Sequence, residues 1–263
     1  MRKFGIGKTV LGRDIVCYRV AGKSERSIII QASIHAREHI TTALAYRLIS
    51  HYSAHKPLYS LYIVPLVNAD GVSLALGGVD FLTCAKLKSY LLGLNNGSHD
   101  FSLWKANIRG VDLNTNFNAN WGNGQSNRFS ASNANFIGHS PNSEPETKAL
   151  ISLTKKVKPV STLSLHCKGE EIFWFFMQGG ANYQRDKQIA KKLAAASGYS
   201  LKGGSFSVGG YKDWCIQHLK IPSYTIEIEN DNYDYKAPYI NLEREFIKNV
   251  RLVDALMEHT YEY

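Results

Sequence analysis

The run Ser27-Ile28-Ile29-Ile30-Gln31-Ala32 carries no charge and little polarity, so it reads as a buried strand, and its end is where a sheet with helices packed on it places its chemistry. His35-Ala36-Arg37-Glu38 follows at once. An imidazole and a carboxylate three residues apart on a strand-to-helix turn can face one point. Two histidines and a glutamate form a ligand set of catalytic zinc that leaves a fourth position for water. The third ligand must come from another segment. His166 is the candidate, because it closes the β-rich run Val160-Ser161-Thr162-Leu163-Ser164-Leu165-His166. Glu227 interrupts a further strand-like stretch, Pro222-Ser223-Tyr224-Thr225-Ile226-Glu227-Ile228-Glu229, and an inward carboxylate is costly unless it is paired or has work to do.

Strand patterns at residues 15–20, 27–32, 61–67, 160–166, 172–176 and 223–228 alternate with helical ones. The expected fold is α/β: one domain over residues 1–263, with a mixed twisted β-sheet and helices on both faces. A helix is expected at 41–52, directly after the metal motif, and others at 183–196, 211–219 and 241–259. Ser143-Glu144-Pro145-Glu146 has the form of a capping box opening a helix that runs to Val157. Residues 114–135, rich in Asn, Gly and Ser, read as a long surface loop.

At 263 residues and 44% hydrophobic content the chain can bury one sizeable core. No stretch reads as a membrane span, and the charged start Met1-Arg2-Lys3 lacks the apolar segment of a signal peptide. A cytoplasmic or spore compartment is therefore expected. Cys17, Cys84, Cys167 and Cys215 are scattered without Cys-x-x-Cys spacing, which argues against a zinc knuckle or a disulfide framework. The net charge of +9 suits an anionic partner, and anionic cell-wall material fits better than nucleic acid, since no basic block with interleaved aromatics is present.

His35-x-x-Glu38, Gly110-Val111-Asp112-Leu113-Asn114, Ser164-Leu165-His166, Asp213-Trp214 and Tyr224-Thr225-Ile226-Glu227 occur in this order along the chain. In these motifs the chain resembles the zinc metallocarboxypeptidase A-like peptidases. The resemblance implies one Zn²⁺ per chain held by His35, Glu38 and His166, with Glu227 as the base that takes a proton from water and passes it to the leaving amine. It also implies a cation for the developing oxyanion, nine positions before Asn114. That position is Lys105, which supplies charge without a bidentate fork, and Arg109 is the alternative. Asp112 then orients His35.

Departures from the family pattern bear on the substrate. Ordinary members read Asn-Arg-Asn, the arginine clamping a C-terminal carboxylate, where this chain reads Asn114-Thr115-Asn116. Thr115 cannot neutralise a carboxylate, and the loss of one charge-assisted contact is worth roughly 1.5–3 kcal/mol. The family's substrate-capping tyrosine falls at Ser205, beside Phe206. The base of the side-chain pocket falls at Lys212, suited to a residue with a distal carboxylate, and Glu170, Glu171 and Glu229 are candidates for its ammonium groups.

A branch of the family without the clamp cleaves murein peptides between γ-D-glutamate and meso-diaminopimelate. This chain is similar to that branch over residues 104–114, 166–174 and 209–214. The expected substrate is a murein peptide. The competing readings are a conventional metallocarboxypeptidase of acidic or broad specificity and a catalytically silent wall-binding protein.

Overall fold

The computed structural model describes residues 1–203, 207–237 and 239–260. The apolar run forms β3 (Ser27–Ala32), buried at every residue. Around it lie β1 (Arg2–Lys8), β2 (Asp14–Val20), β4 (Ser60–Val64), β5 (Ser161–Cys167), β6 (Glu171–Phe173), β7 (Ser200–Lys202) and β8 (Ser223–Ile228). They form one eight-stranded sheet in the order β1-β2-β4-β3-β5-β8-β6-β7. The four central strands are mutually parallel, and antiparallel pairs flank them on both sides.

Helices α1 (Ile40–Ala54), α2 (Ala69–Gly77), α3 (Ala85–Leu94), α4 (Pro145–Val157), α5 (Gly180–Ser197), α6 (Tyr211–Trp214) and α7 (Leu242–His259) complete the fold. Because side chains alternate along a strand, Ile28, Ile30 and Ala32 join one core with Leu44 of α1, Leu193 of α5 and Leu252 of α7. Ile29 points the other way, into a second core with Leu150 of α4 and Tyr211 and Trp214 of α6. Both faces are thus covered, which is what parallel strands without a polar face require. No described helix is long and apolar enough to cross a membrane.

The chain leaves β3 for β4 on one side, whereas β5 is followed across the sheet by β8 on the other. The carboxyl ends of β3 and β5 therefore adjoin at the point where the winding reverses, and a crevice opens there. His35 and His166 lie at these two ends.

Several expectations are corrected. The edge strand β1 and the short β7 carry charged or exposed residues with little alternation, so their pairing comes from neighbours rather than from pattern. Helices α2 and α3 were not foreseen. Helix α4 begins after Glu144 and has no capping box: Ser143 donates to the Glu144 side chain at 2.8 Å, while Glu146 accepts the Val10 amide at 3.1 Å. The segment after Asn114 is not simply a surface loop. It opens with a 3₁₀ turn over Leu113–Thr115, and Asn116 and Phe117 are fully buried, the Asn116 amide satisfying the carbonyls of Ile137 and Ser140.

Candidate metal centre and active-site cleft

Three ligand atoms converge at the switch point. His35 Nδ1 lies 2.8 Å from Glu38 Oε1, His166 Nδ1 lies 3.0 Å from Glu38 Oε2, and the two Nδ1 atoms are 3.1 Å apart. All three residues are at most 5% exposed. If one ring donates to the other, it cannot also satisfy its carboxylate oxygen, and Glu38 Oε2 has no hydrogen-bond partner among the described residues. Two facing lone pairs or two facing N–H groups would repel. A cation among the three atoms removes the conflict, so this donor set fits a metal ion. Burial by itself would raise the Glu38 pKa, but the imidazoles of His35 and His166 outweigh it and hold the carboxyl well below the usual range.

The far side of His35 faces Asp112: Nε2 lies 3.3 Å from Oδ1, close enough for attraction though not aligned as a hydrogen bond. Asp112 Oδ2 lies 2.9 Å from Lys105 Nζ. Burial works against the Asp112 charge, yet Lys105 and His35 more than reverse that and keep it ionised. Lys105 is tied to the ligand loop as well, since its carbonyl accepts the Ala36 amide at 3.1 Å.

Glu227 stands opposite His166 in the parallel register of β5 and β8. Its pKa is pushed up to about 7. Burial is the main cause; attraction to His166 and Lys105 opposes it, while repulsion by Glu38 and Glu171 adds to it. A carboxyl poised near neutrality can both take and return a proton.

These groups line a cleft of about 200 Å³ that His35, Lys105, Glu227, Asn114, Lys212 and Asp213 share. A larger hollow of about 630 Å³ opens beside His39, Tyr235 and Tyr239. The smaller one is the candidate site, because it is lined by His35 of the converging ligands and by the shifted Glu227.

Arg109 is elsewhere. Its side chain is 56% exposed and lies 3.6 Å from Glu144, and it borders a separate hollow with Leu87 and Tyr90. The Asn107 side chain accepts the amides of Arg109 and Val111, and Gly110 at φ +76° reverses the chain, which turns Arg109 away from Lys105. Thr115 is also withdrawn: it is 5% exposed, does not line the cleft, and its hydroxyl donates to the Asp112 carbonyl at 2.9 Å. Asn114 does line the cleft, its Oδ1 accepting the Tyr211 amide at 3.2 Å. Ser205 and Phe206 lie outside the described residues.

Lys212 is buried at the cleft, not on a helix surface. Its Nζ lies 2.5 Å from Asp213 Oδ1 and 3.1 Å from the Phe175 carbonyl. Gly209 makes this placement possible. With φ +84° and a hypothetical Cβ only 2.8 Å from the Thr115 carbonyl, no larger residue would let this turn press against Thr115 and Phe117. Glu170 and Glu229 are committed to α7, pairing with Lys248 and Arg244, and Glu171 pairs with Lys202. The acid that the cleft holds beside Lys212 is instead Asp213, to which the sequence reading gave no role. Its place in the Asp213-Trp214 motif was the available signal.

The sequence profile of the zinc carboxypeptidases matches residues 1–250. The chain belongs to the zinc carboxypeptidase family. Zinc is thus the ion that the family implies for the His35, Glu38 and His166 cluster, which could hold it. The chain is 34% identical over 242 residues to the uncharacterized protein YqgT of Bacillus subtilis, covering 85% of this chain and 63% of that one. It is 33% identical over 239 residues to gamma-D-glutamyl-L-diamino acid endopeptidase 1 of Lysinibacillus sphaericus, covering 85% of this chain and 59% of that one. It therefore spans about three fifths of the length of these relatives. The bovine thrombin-activatable fibrinolysis inhibitor, solved with a tick carboxypeptidase inhibitor, shares the fold with a TM-score of 0.82 at 21% identity, over 99% of this chain and 90% of that one.

Proposed function

We propose that this chain, as one catalytic domain over residues 1–263, is a zinc-dependent peptidase that hydrolyses the γ-D-glutamyl–meso-diaminopimelate amide of murein peptides. The observation that carries the reading is the Lys212–Asp213 pair, 2.5 Å apart in the cleft. A lone lysine would suit a carboxylate, but a lysine already paired with an acid suits a group bearing both charges. The distal end of diaminopimelate is such a group, with an ammonium and a carboxylate on one carbon. The withdrawn Thr115 agrees, since no cation at that position clamps a C-terminal carboxylate. The Lysinibacillus relative is named as a gamma-D-glutamyl-L-diamino acid endopeptidase, which supports the same bond.

In this reading His35, Glu38 and His166 hold one zinc ion, which when bound polarises the amide carbonyl and acidifies water. Glu227 takes the proton from the attacking water and delivers it to the departing amine. Lys105, fixed by Asp112, stabilises the oxyanion, and Asn114, Lys212 and Asp213 hold the amine-side residue. Mass spectrometry of products from defined muropeptides tests the proposal. Release of diaminopimelate-containing fragments with a free L-centre amine is expected. Hydrolysis confined to α-linked peptides with free C-termini would leave the conventional carboxypeptidase standing, and binding without hydrolysis would leave the silent wall-binding protein.

A further inference from the structure

In the register of β1, β2 and β4, Arg2 stands opposite Arg19, and Arg19 opposite Tyr62. Residues paired in this way share one face of the sheet, so the two arginines lie side by side at its edge. Like charges directly opposite each other weaken a strand pair. Among the described residues no carboxylate forms an ion pair with either arginine. The guanidinium groups lie over the rings of Phe4 and Tyr62, with Cζ 5.9 and 5.8 Å from the centroids. These distances are at the outer limit of about 6 Å for a cation over a ring, so the rings alone are a weak reason to hold both charges here. Arg19 Nε is moreover buried without a hydrogen-bond acceptor. A buried charged donor in that position is unfavourable unless a ligand supplies the acceptor.

These four side chains line a hollow of about 440 Å³, which α4 closes with Leu153 and Lys156. Lys156 belongs to the last turn of α4, where it complements the terminal carbonyls, and it brings a third positive charge to the hollow. None of these residues lines the cleft that holds Glu227 and Lys212. A guanidinium grips either a carboxylate or a phosphate through parallel N–H groups, and the number of charges decides between them. One carboxylate would leave two of the three cations uncompensated, whereas a phosphate monoester carries about −1.5 to −2 at neutral pH. We propose that the hollow between β1, β2 and α4 is a second binding site, which takes the phosphate group of a ligand between Arg2, Arg19 and Lys156. Phe4, Tyr62 and Leu153 form the apolar floor under the group that bears the phosphate. The same chemistry serves a free phosphate monoester and a polyol phosphate polymer. The proposal does not depend on the peptidase reading.

Calorimetric titration of the full chain at 0.15 M salt tests it, with glycerol 3-phosphate, glycerate and poly(glycerol phosphate) as probes. Wild type should bind glycerol 3-phosphate at one site per chain, at least about tenfold more tightly than glycerate. Arg19→Gln and Arg2→Gln should each weaken that binding by at least about tenfold. Lys3→Gln removes an equal charge from the next position on β1, but Lys3 faces the other side of the sheet, 5.8 Å from the Tyr18 ring centroid. Its Kd should stay within about twofold of wild type. Poly(glycerol phosphate) binding at least about tenfold tighter per phosphate than the monoester, and lost in Arg19→Gln, makes the polymer the source; the opposite order makes it the free monoester. Equal weakening by Lys3→Gln and Arg19→Gln would show a diffuse charge effect and overturn the proposal. So would glycerate bound as tightly as glycerol 3-phosphate, or no binding of either phosphate probe. If Arg19→Gln fails to fold, the exposed Arg2 decides through Arg2→Gln.

Discussion

Lys105 Nζ and Asp112 Oδ2 lie 2.9 Å apart, and the same carboxylate faces His35 through its other oxygen at 3.3 Å. One buried aspartate thus holds a cation of the cleft and an imidazole of the ligand cluster in a single arrangement. Asp112 is fixed in turn by the amides of Asn114 and Asn135, at 3.1 and 3.2 Å. The charge and the ring cannot shift independently.

This linkage makes Lys105 the cation to test. Lys105→Ala should lower kcat more than it raises KM, since a charge aimed at the oxyanion acts mainly in the transition state. Arg109→Ala, altering an exposed side chain outside the cleft, should stay near wild type. The reverse pattern in steady-state kinetics would exchange the two assignments.

Removing one ligand should remove the metal. Elemental analysis of purified His166→Ala should find zinc well below one per chain, because two ligands remain where three converge. Stoichiometric zinc at unchanged affinity would take His166 out of the site.

Glu227→Gln keeps the size of the side chain and removes its ability to accept a proton. Zinc content and thermal midpoint should stay close to wild type while kcat falls by at least about a hundredfold, the low end for general acid–base catalysis. A smaller loss would mean that another group carries the proton.

Glu146 gives a pH signature in stability rather than activity. Burial foremost, and repulsion by Glu144 and Asp70, push its pKa up to about 7 from an ordinary value of 4.5, against the opposing hydrogen bond from Val10. The folded state therefore holds this proton more tightly than the unfolded chain. Its stabilising effect is full below the unfolded pKa and is lost as pH rises through about 7. Glu146→Gln keeps an acceptor for the Val10 amide and removes the charge. Urea midpoints should show the variant more stable than wild type at pH 8, by on the order of 3 kcal/mol at most, and nearly equal at pH 4. An equal gap at both pH values would show that the charge of Glu146 is not the cause.

The layout of the sheet was largely legible along the chain, because buried central strands are continuous apolar runs: residues 27–32 and 223–228 were bounded as β3 and β8 are. Ranges 61–67 and 172–176 overran β4 and β6, since apolar character continues into the turns that follow. Strands β1 and β7 were missed because edge pairing leaves one side in solvent and needs no apolar pattern.

The ligand candidates His35, Glu38 and His166 and the acid Glu227 could be found from sequence because each punctuates an apolar run, where a polar side chain demands a reason. Which cation faces the cleft could not. Lys105 and Arg109 are four residues apart, and only the turn held by Asn107 and Gly110 sends one inward and the other out. The pairing of Lys212 with Asp213 was equally invisible. Burial and partner choice arise from segments distant in sequence, so tertiary packing alone decides whether a charge is neutralised, exposed or left to bind a ligand.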